Sequence, residues 1–259
     1  MLSNGVDALT HLQSLGPTLP DVLHRSRQAG VSTWIFASET PDDWLLTHEA
    51  ARVNGGIAVI GVHPWIAATL TDGEQVPLFK QLEEMPLAGI GEVGLDALHA
   101  RGPDSSVRWE RQRAALIAQL RIAKIKRVPV ILHCVRAYPE ILRILEREAP
   151  LSGMLHAWNG PESALQAVLD LGLYVSIGPV VLQKSAEKLR SSLHRIPPDR
   201  LLLETDSPSM APPGILVGEP RYLPHVAQAV ADARREPLEA LWKQCAENAR
   251  RLWPTLPRR

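Results

Sequence analysis

The chain has 259 residues, 45% of them hydrophobic and 22% charged, with Lys plus Arg and Asp plus Glu balanced at 28 each. That composition excludes disorder over most of the length and gives no global positive field, so any polyanion site must be local. Cys134 and Cys245 are too few thiols for a disulfide framework. No leader-like segment or long apolar run stands out, and a soluble, cytoplasmic protein is expected.

In chain order, apolar runs rich in branched aliphatics predict strands near Ser3–Leu9, then at Thr33–Ala37, Ile57–Val62, Ala88–Val93, Val128–Leu132, Gly153–His156, Leu173–Ile177 and Leu201–Glu204. Between them lie helical patterns at Leu19–Gln28, Trp44–Val53, Val76–Leu82, Ser106–Ile125, Pro139–Glu148, Pro161–Leu171 and Ser185–His194, with Pro224–Arg235 and Pro237–Trp253 at the end. Alternating strands and helices mean a parallel sheet. Eight strand candidates favour closure into a (β/α)8 TIM barrel, here expected as one domain over residues 1–259. The Rossmann alternative requires a Gly-rich turn after an early strand, and His11-Leu12-Gln13-Ser14 is not one. The proline-rich stretch from Pro208 to Pro220 reads as a long ordered loop over the barrel mouth.

Polar residues follow these strands abruptly: His11, His63, Glu92, His133, His156, and then Glu204 with Asp206. In a closed barrel they converge on the C-terminal rim, where barrel enzymes keep their active sites. Imidazoles and carboxylates crowded together need a neutralising cation, and they are also its ligands. Mixed His and carboxylate ligation suits zinc, manganese, iron or nickel, with one or two ions left open. His24, His48, His99, His194 and His225 read as structural, and Cys134 as packing. His48-Glu49 does not complete a zincin motif because position 52 is Arg.

Six segments in order, Gly61-Val62-His63-Pro64, Gly91-Glu92-Val93-Gly94-Leu95-Asp96, Pro129-Val130-Ile131-Leu132-His133, Leu155-His156-Ala157-Trp158-Asn159-Gly160, Leu203-Glu204-Thr205-Asp206-Ser207-Pro208 and Asn248-Ala249-Arg250-Arg251-Leu252, resemble the TatD family of metal-dependent hydrolases within the amidohydrolase-like barrels. The resemblance implies a two-metal centre with Glu92 bridging, His133 and His156 on one ion, and an N-terminal H-x-H pair with Asp206 on the other. The chain departs from this pattern, because Asp7-Ala8-Leu9-Thr10-His11 carries Leu9 where the first His belongs. An isobutyl group has no lone pair, so asymmetric ion occupancy is expected.

The implied reaction is phosphodiester hydrolysis, as a 3′ to 5′ exonuclease on DNA, especially single-stranded, by a metal-activated water. In that scheme Asp206 accepts the water's proton, His63 bonds a phosphate oxygen and Glu204 orients the ligands. Arg101, with Arg108, Arg111 and Arg113, offers local positive charge, and Trp65 and Trp158 offer faces for unpaired bases. A DNA or nucleotide substrate, no membrane and a monomer are expected. The alternatives are a hydrolase of a small amide, ester or lactone on the same centre, or a non-catalytic descendant binding a nucleotide or partner protein.

Overall fold

The computed structural model describes residues 2–102 and 104–257; the ends of the expected 1–259 unit, and Pro103, lie outside the described residues. Strands β1 (Gly5–Thr10), β2 (Val31–Ala37) and β3 (Ile57–Val59) form one parallel ladder. A second ladder holds β4 (Ile90–Asp96), β5 (Val130–Val135), β6 (Gly153–Leu155), β7 (Tyr174–Ile177) and β8 (Leu201–Leu203) in that order. Parallel bridges join the two ladders at both seams, Ile60 with Ile90 and Thr10 with Ser207. At the second seam Asp206 N donates to Leu9 O at 3.1 Å and His11 N to Ser207 O at 2.7 Å. The architecture is a TIM-like barrel with strands in sequence order.

The helices are α1 (Leu19–Gln28), α2 (Trp44–Asn54), α3 (Pro64–Ala67), α4 (Asp72–Glu84), α5 (Ser105–Lys126), α6 (Tyr138–Glu148), α7 (Glu162–Asp170), α8 (Glu187–Ser192), α9 (Leu223–Arg234) and α10 (Leu238–Leu252). Helix α4 begins four residues before the expected Val76 because Thr71 and Glu74 form a reciprocal capping box. Strand β4 runs on to Asp96 rather than stopping at Val93. Gly94, at φ +157, permits this: a Cβ there would strike the His133 carbonyl oxygen of the neighbouring strand. His133 accordingly lies within β5 instead of just after it.

One apolar cluster lies between strands and helices, while a second, with Ile35, Val59, Ile131, Met154 and Leu202, also takes in Ala249, Leu252 and Trp253. Burying each Val, Leu, Ile or Met side chain among them is worth about 1.5–3 kcal/mol. Helix α10 ties the N-terminal ends of the strands, with Trp242 Nε1 donating to Ser3 O at 2.9 Å and Asn248 Nδ2 to Leu201 O at 2.8 Å. One end of the barrel is thus plugged with hydrocarbon, and polar residues are left to the other. No helix among the described residues is long and apolar enough to cross a membrane.

Candidate metal centre at the C-terminal rim

A cavity of about 880 Å³ opens at the C-terminal ends of the strands, lined by His11, His63, Glu92, His133, His156 and Asp206 among others. All six are buried. Glu92, in β4, is the hub: its Oε1 lies 2.6 Å from His156 Nε2, 2.7 Å from His133 Nδ1 and 3.4 Å from His63 Nε2. Its Oε2 is 3.3 Å from His11 Nε2, which in turn is 3.2 Å from Asp206 Oδ1.

Tautomers show what this crowding requires. His11 Nδ1 sits 2.9 Å from the Ala37 carbonyl, an acceptor only, so that nitrogen carries the proton and donates. In the neutral ring Nε2 then aims a lone pair at two carboxylate oxygens, of which Asp206 Oδ1 is buried without a hydrogen-bond donor. On the other flank, the outer nitrogens of His133 and His156 face Asp96 Oδ2 at 3.5 Å and Glu204 Oε1 at 3.4 Å. Neither outer nitrogen makes a hydrogen bond at these distances, and His133 Nδ1 bonds Glu92 Oε1 instead; with an ion present, carboxylates so placed would take the outer protons and turn the inner lone pairs onto it. Acceptors facing acceptors need a cation, and the donor set fits a divalent one.

Protonation tendencies agree. Burial works against charge on His11, but its bonds to Asp206 and Glu92 prevail and raise its pKa well above 6.5. His156 and His133 are likewise raised against burial, His156 by Glu92 and Glu204, His133 by Asp96 and Glu92. Glu92 is held well below the usual carboxylate range, its desolvation outweighed by the imidazoles around it. The centre draws positive charge, supplied by protons or by an ion.

His63 differs. Its ligand atom, with those of Glu92 and His133, makes a set within 4.8 Å of one another, a spacing an ion could occupy. Yet Trp65 N donates to His63 Nδ1 at 3.3 Å, which leaves the proton on Nε2, and burial pushes its pKa down. That tautomer makes His63 a neutral donor toward the cavity. It becomes a ligand only by giving up the Trp65 bond.

Glu204 is fully buried, its Oε1 accepting from Ala157 N at 2.7 Å and its Oε2 from Ser176 Oγ at 2.5 Å, so it is held behind His156, 3.4 Å from Nδ1, and does not line the cavity. Asp206 reaches the site through a left-handed backbone, φ +51; Ala157 at +45 and Arg136 at +52 share this conformation. Each follows a strand end, and side chains held this way cost energy that other contacts must offset.

Two of the expected substrate contacts do not line this cavity. Trp158 is 1% exposed, packed edge-on to Tyr138 at 5.3 Å between ring centroids, so it presents no face to a base. Arg101 lines a neighbouring groove rather than this cavity. Trp65 does line it, 43% exposed, stacked on His99 at 4.2 Å and donating through Nε1 to Asp96 at 2.7 Å. Leu9 is wholly buried in the apolar filling and lends the site only its backbone carbonyl.

Sequence reasoning passed over Asp96 and His99. Asp96 follows an apolar strand as the chosen residues do, so the signal was present; its carboxyl is held low, against burial, by His133, Trp65 and backbone donors. His99, read as structural, lines the cavity and approaches Asp96 at 3.3 Å.

Comparison with known proteins adds ancestry to this geometry. Residues 6–254 match the family described as TatD related DNase. The chain is 34% identical over 244 residues to the 3′-5′ ssDNA/RNA exonuclease TatD of Erwinia billingiae (strain Eb661), covering 90% of this chain and 91% of that one. It is 33% identical over 243 residues to the protein of that name from Klebsiella pneumoniae (strain 342), covering 90% of each. Among solved structures, the TatD homolog YJJV of Escherichia coli k12 superposes with a TM-score of 0.86 at 28% identity, over 98% of this chain and 100% of that one. A TatD family hydrolase from Entamoeba histolytica, at 18% identity and TM-score 0.82 over 98% of this chain and 99% of that one, shares the fold. The chain belongs to the TatD related DNase family.

Proposed function

We propose that this protein is a metal-dependent phosphodiesterase that removes nucleotides from the 3′ end of single-stranded DNA or RNA. The observation that carries this reading is the convergence of buried acceptors on Glu92, with Asp206 at the edge of an open cavity. Glu92, His133 and His156 would hold a divalent ion, with His11 and Asp206 on its other flank; in the absence of a His at position 9, that flank is the weaker.

Such an ion supplies acidification of a water and neutralisation of charge on phosphoryl oxygens. The chain's residues do the rest. Asp206 Oδ1, buried and lacking a donor, is placed to take the water's proton. His63 Nε2–H donates to a phosphate oxygen, and its depressed pKa keeps it neutral near pH 7. Glu204 and Asp96 fix His156 and His133. Trp65 forms a wall against which a terminal base can lie.

The test is incubation of a single-stranded oligonucleotide, labelled at its 5′ end, with Mg²⁺, Mn²⁺ or Zn²⁺, alongside Glu92→Ala. A ladder shortening from the 3′ end in the parent, abolished in the variant and by chelator, is expected. No cleavage by a metal-loaded parent would refute the reading.

A further inference from the structure

Beside the catalytic cavity runs a second groove of about 540 Å³. Its walls are the loop after β4 (Ala97, Ala100, Arg101), the first turns of α5 with Trp109, the loop after β5 (Arg136, Ala137) and Pro139 in the first turn of α6. Arg136 lines both spaces and so stands at their junction. Trp109 is half-buried, anchored on the core with part of its surface in the groove. Among the described residues neither Arg101 nor Arg136 has an acidic partner. The groove's carboxylate, Glu140, is already engaged by Arg113 at 2.7 Å and Arg143 at 2.6 Å.

We propose that this groove binds the penultimate nucleotide of a single-stranded nucleic acid, its base against Trp109 and its flanking phosphates on Arg136 and Arg101, while the 3′-terminal nucleotide occupies the metal cavity. The inference rests on the nuclease reading above and extends it to a second subsite. Three features point to this occupant. Arg136 borders both spaces, so a strand that passes over its side chain leaves one and meets the other. Its floor is apolar with an aromatic wall, which suits an unstacked base of any identity. Its two arginines, without an acidic partner among the described residues, line the groove, Arg136 at its border with the cavity, and offer positive charge to the phosphates of a bound backbone. A base-paired strand would keep its bases stacked inward and leave the groove unfilled, so single strands are selected.

The experiment measures binding, so that it does not depend on turnover. Fluorescence anisotropy of a labelled single-stranded hexanucleotide is recorded with Glu92→Ala protein and with Trp109→Ala, Trp109→Phe and Arg136→Gln added to that background. A second probe differs only in an abasic residue at the penultimate position. Trp109→Ala should weaken binding of the intact probe by about 5- to 150-fold, the range set by one base–aromatic stack, yet change the abasic probe less than about twofold. Trp109→Phe, which keeps a ring, should restore most of the loss. Arg136→Gln should weaken both probes alike and flatten the salt dependence. Equal losses on both probes with Trp109→Ala, or no loss on either, overturn the subsite while cleavage by the parent leaves the nuclease reading standing. No binding of either probe, with no cleavage by the parent, overturns both.

Discussion

Glu204→Gln separates a residue that acts through a ligand from one that touches the ion. Glu204 is wholly buried, accepting from Ala157 N at 2.7 Å and Ser176 Oγ at 2.5 Å, with Oε1 at 3.4 Å from His156 Nδ1. Glutamine preserves the shape and one acceptor, and the Ser176 hydroxyl can turn to accept from the new amide. The stability cost should be about 1–2 kcal/mol, the difference between a charged and a neutral hydrogen bond. What disappears is the negative charge behind His156. Removal of such an outer partner costs about 10- to 100-fold in metal affinity, or about 1.4–2.7 kcal/mol. Competition with a chromogenic chelator gives Zn²⁺ affinity for the parent, Glu204→Gln, His156→Ala and the double variant. Since Glu204 works through His156, the double variant should be no worse than His156→Ala alone. Full affinity in Glu204→Gln, or additive losses in the double variant, would refute the assignment.

Other predictions follow from the same geometry. Leu9→His should raise the metal content per chain by elemental analysis, because it restores a lone pair to the weaker flank; unchanged stoichiometry would count against that placement. Trp158→Ala should destabilise by about 3–5 kcal/mol, lowering Tm by about 6–20 °C, and leave KM for an oligonucleotide unaltered; a raised KM with unchanged Tm would reinstate Trp158 as a substrate contact. For pH, His11, His133 and His156 hold protons more tightly folded than unfolded. Their stabilising contribution in the metal-free protein is complete below about pH 6.5 and fades as pH rises through the raised folded values. An ion binds only once those protons leave. Saturating Zn²⁺ should therefore raise Tm more at pH 8 than at pH 6, and equal shifts would contradict the proton-for-ion exchange.

The barrel was legible because a strand buried on both faces leaves an unbroken apolar run, and the interruption at its end marks the rim. His11, Glu92, His133, His156 and Asp206 were found that way, and the structure brings them within contact of one another. Boundaries were less legible where a tertiary contact decides them. The close approach of β5 at Gly94 carried β4 to Asp96, and the Thr71–Glu74 box set the start of α4, although that pattern could have been read from its spacing. Side-chain direction was the weakest inference. Trp158 and Trp65 both follow rim histidines, yet Trp158 turns into the packing around Tyr138 while Trp65 lines the cavity. Nothing in the local sequence distinguishes them. Arg136 stands alone after β5, outside the cluster of Arg101, Arg108, Arg111 and Arg113 that the sequence suggests, and only the fold brings it to the same groove as Arg101.

Hydrolysis at this rim requires a cation held at Glu92. The most direct measurement is an anomalous difference map from crystals soaked in Zn²⁺ or Mn²⁺, with Glu92→Ala crystals treated identically. A peak within coordination distance of Glu92, His133 and His156, absent in the variant, is predicted. Crystals whose side chains keep the observed arrangement but show no peak, or show it equally without the Glu92 carboxylate, would contradict the metal centre and the hydrolysis built on it.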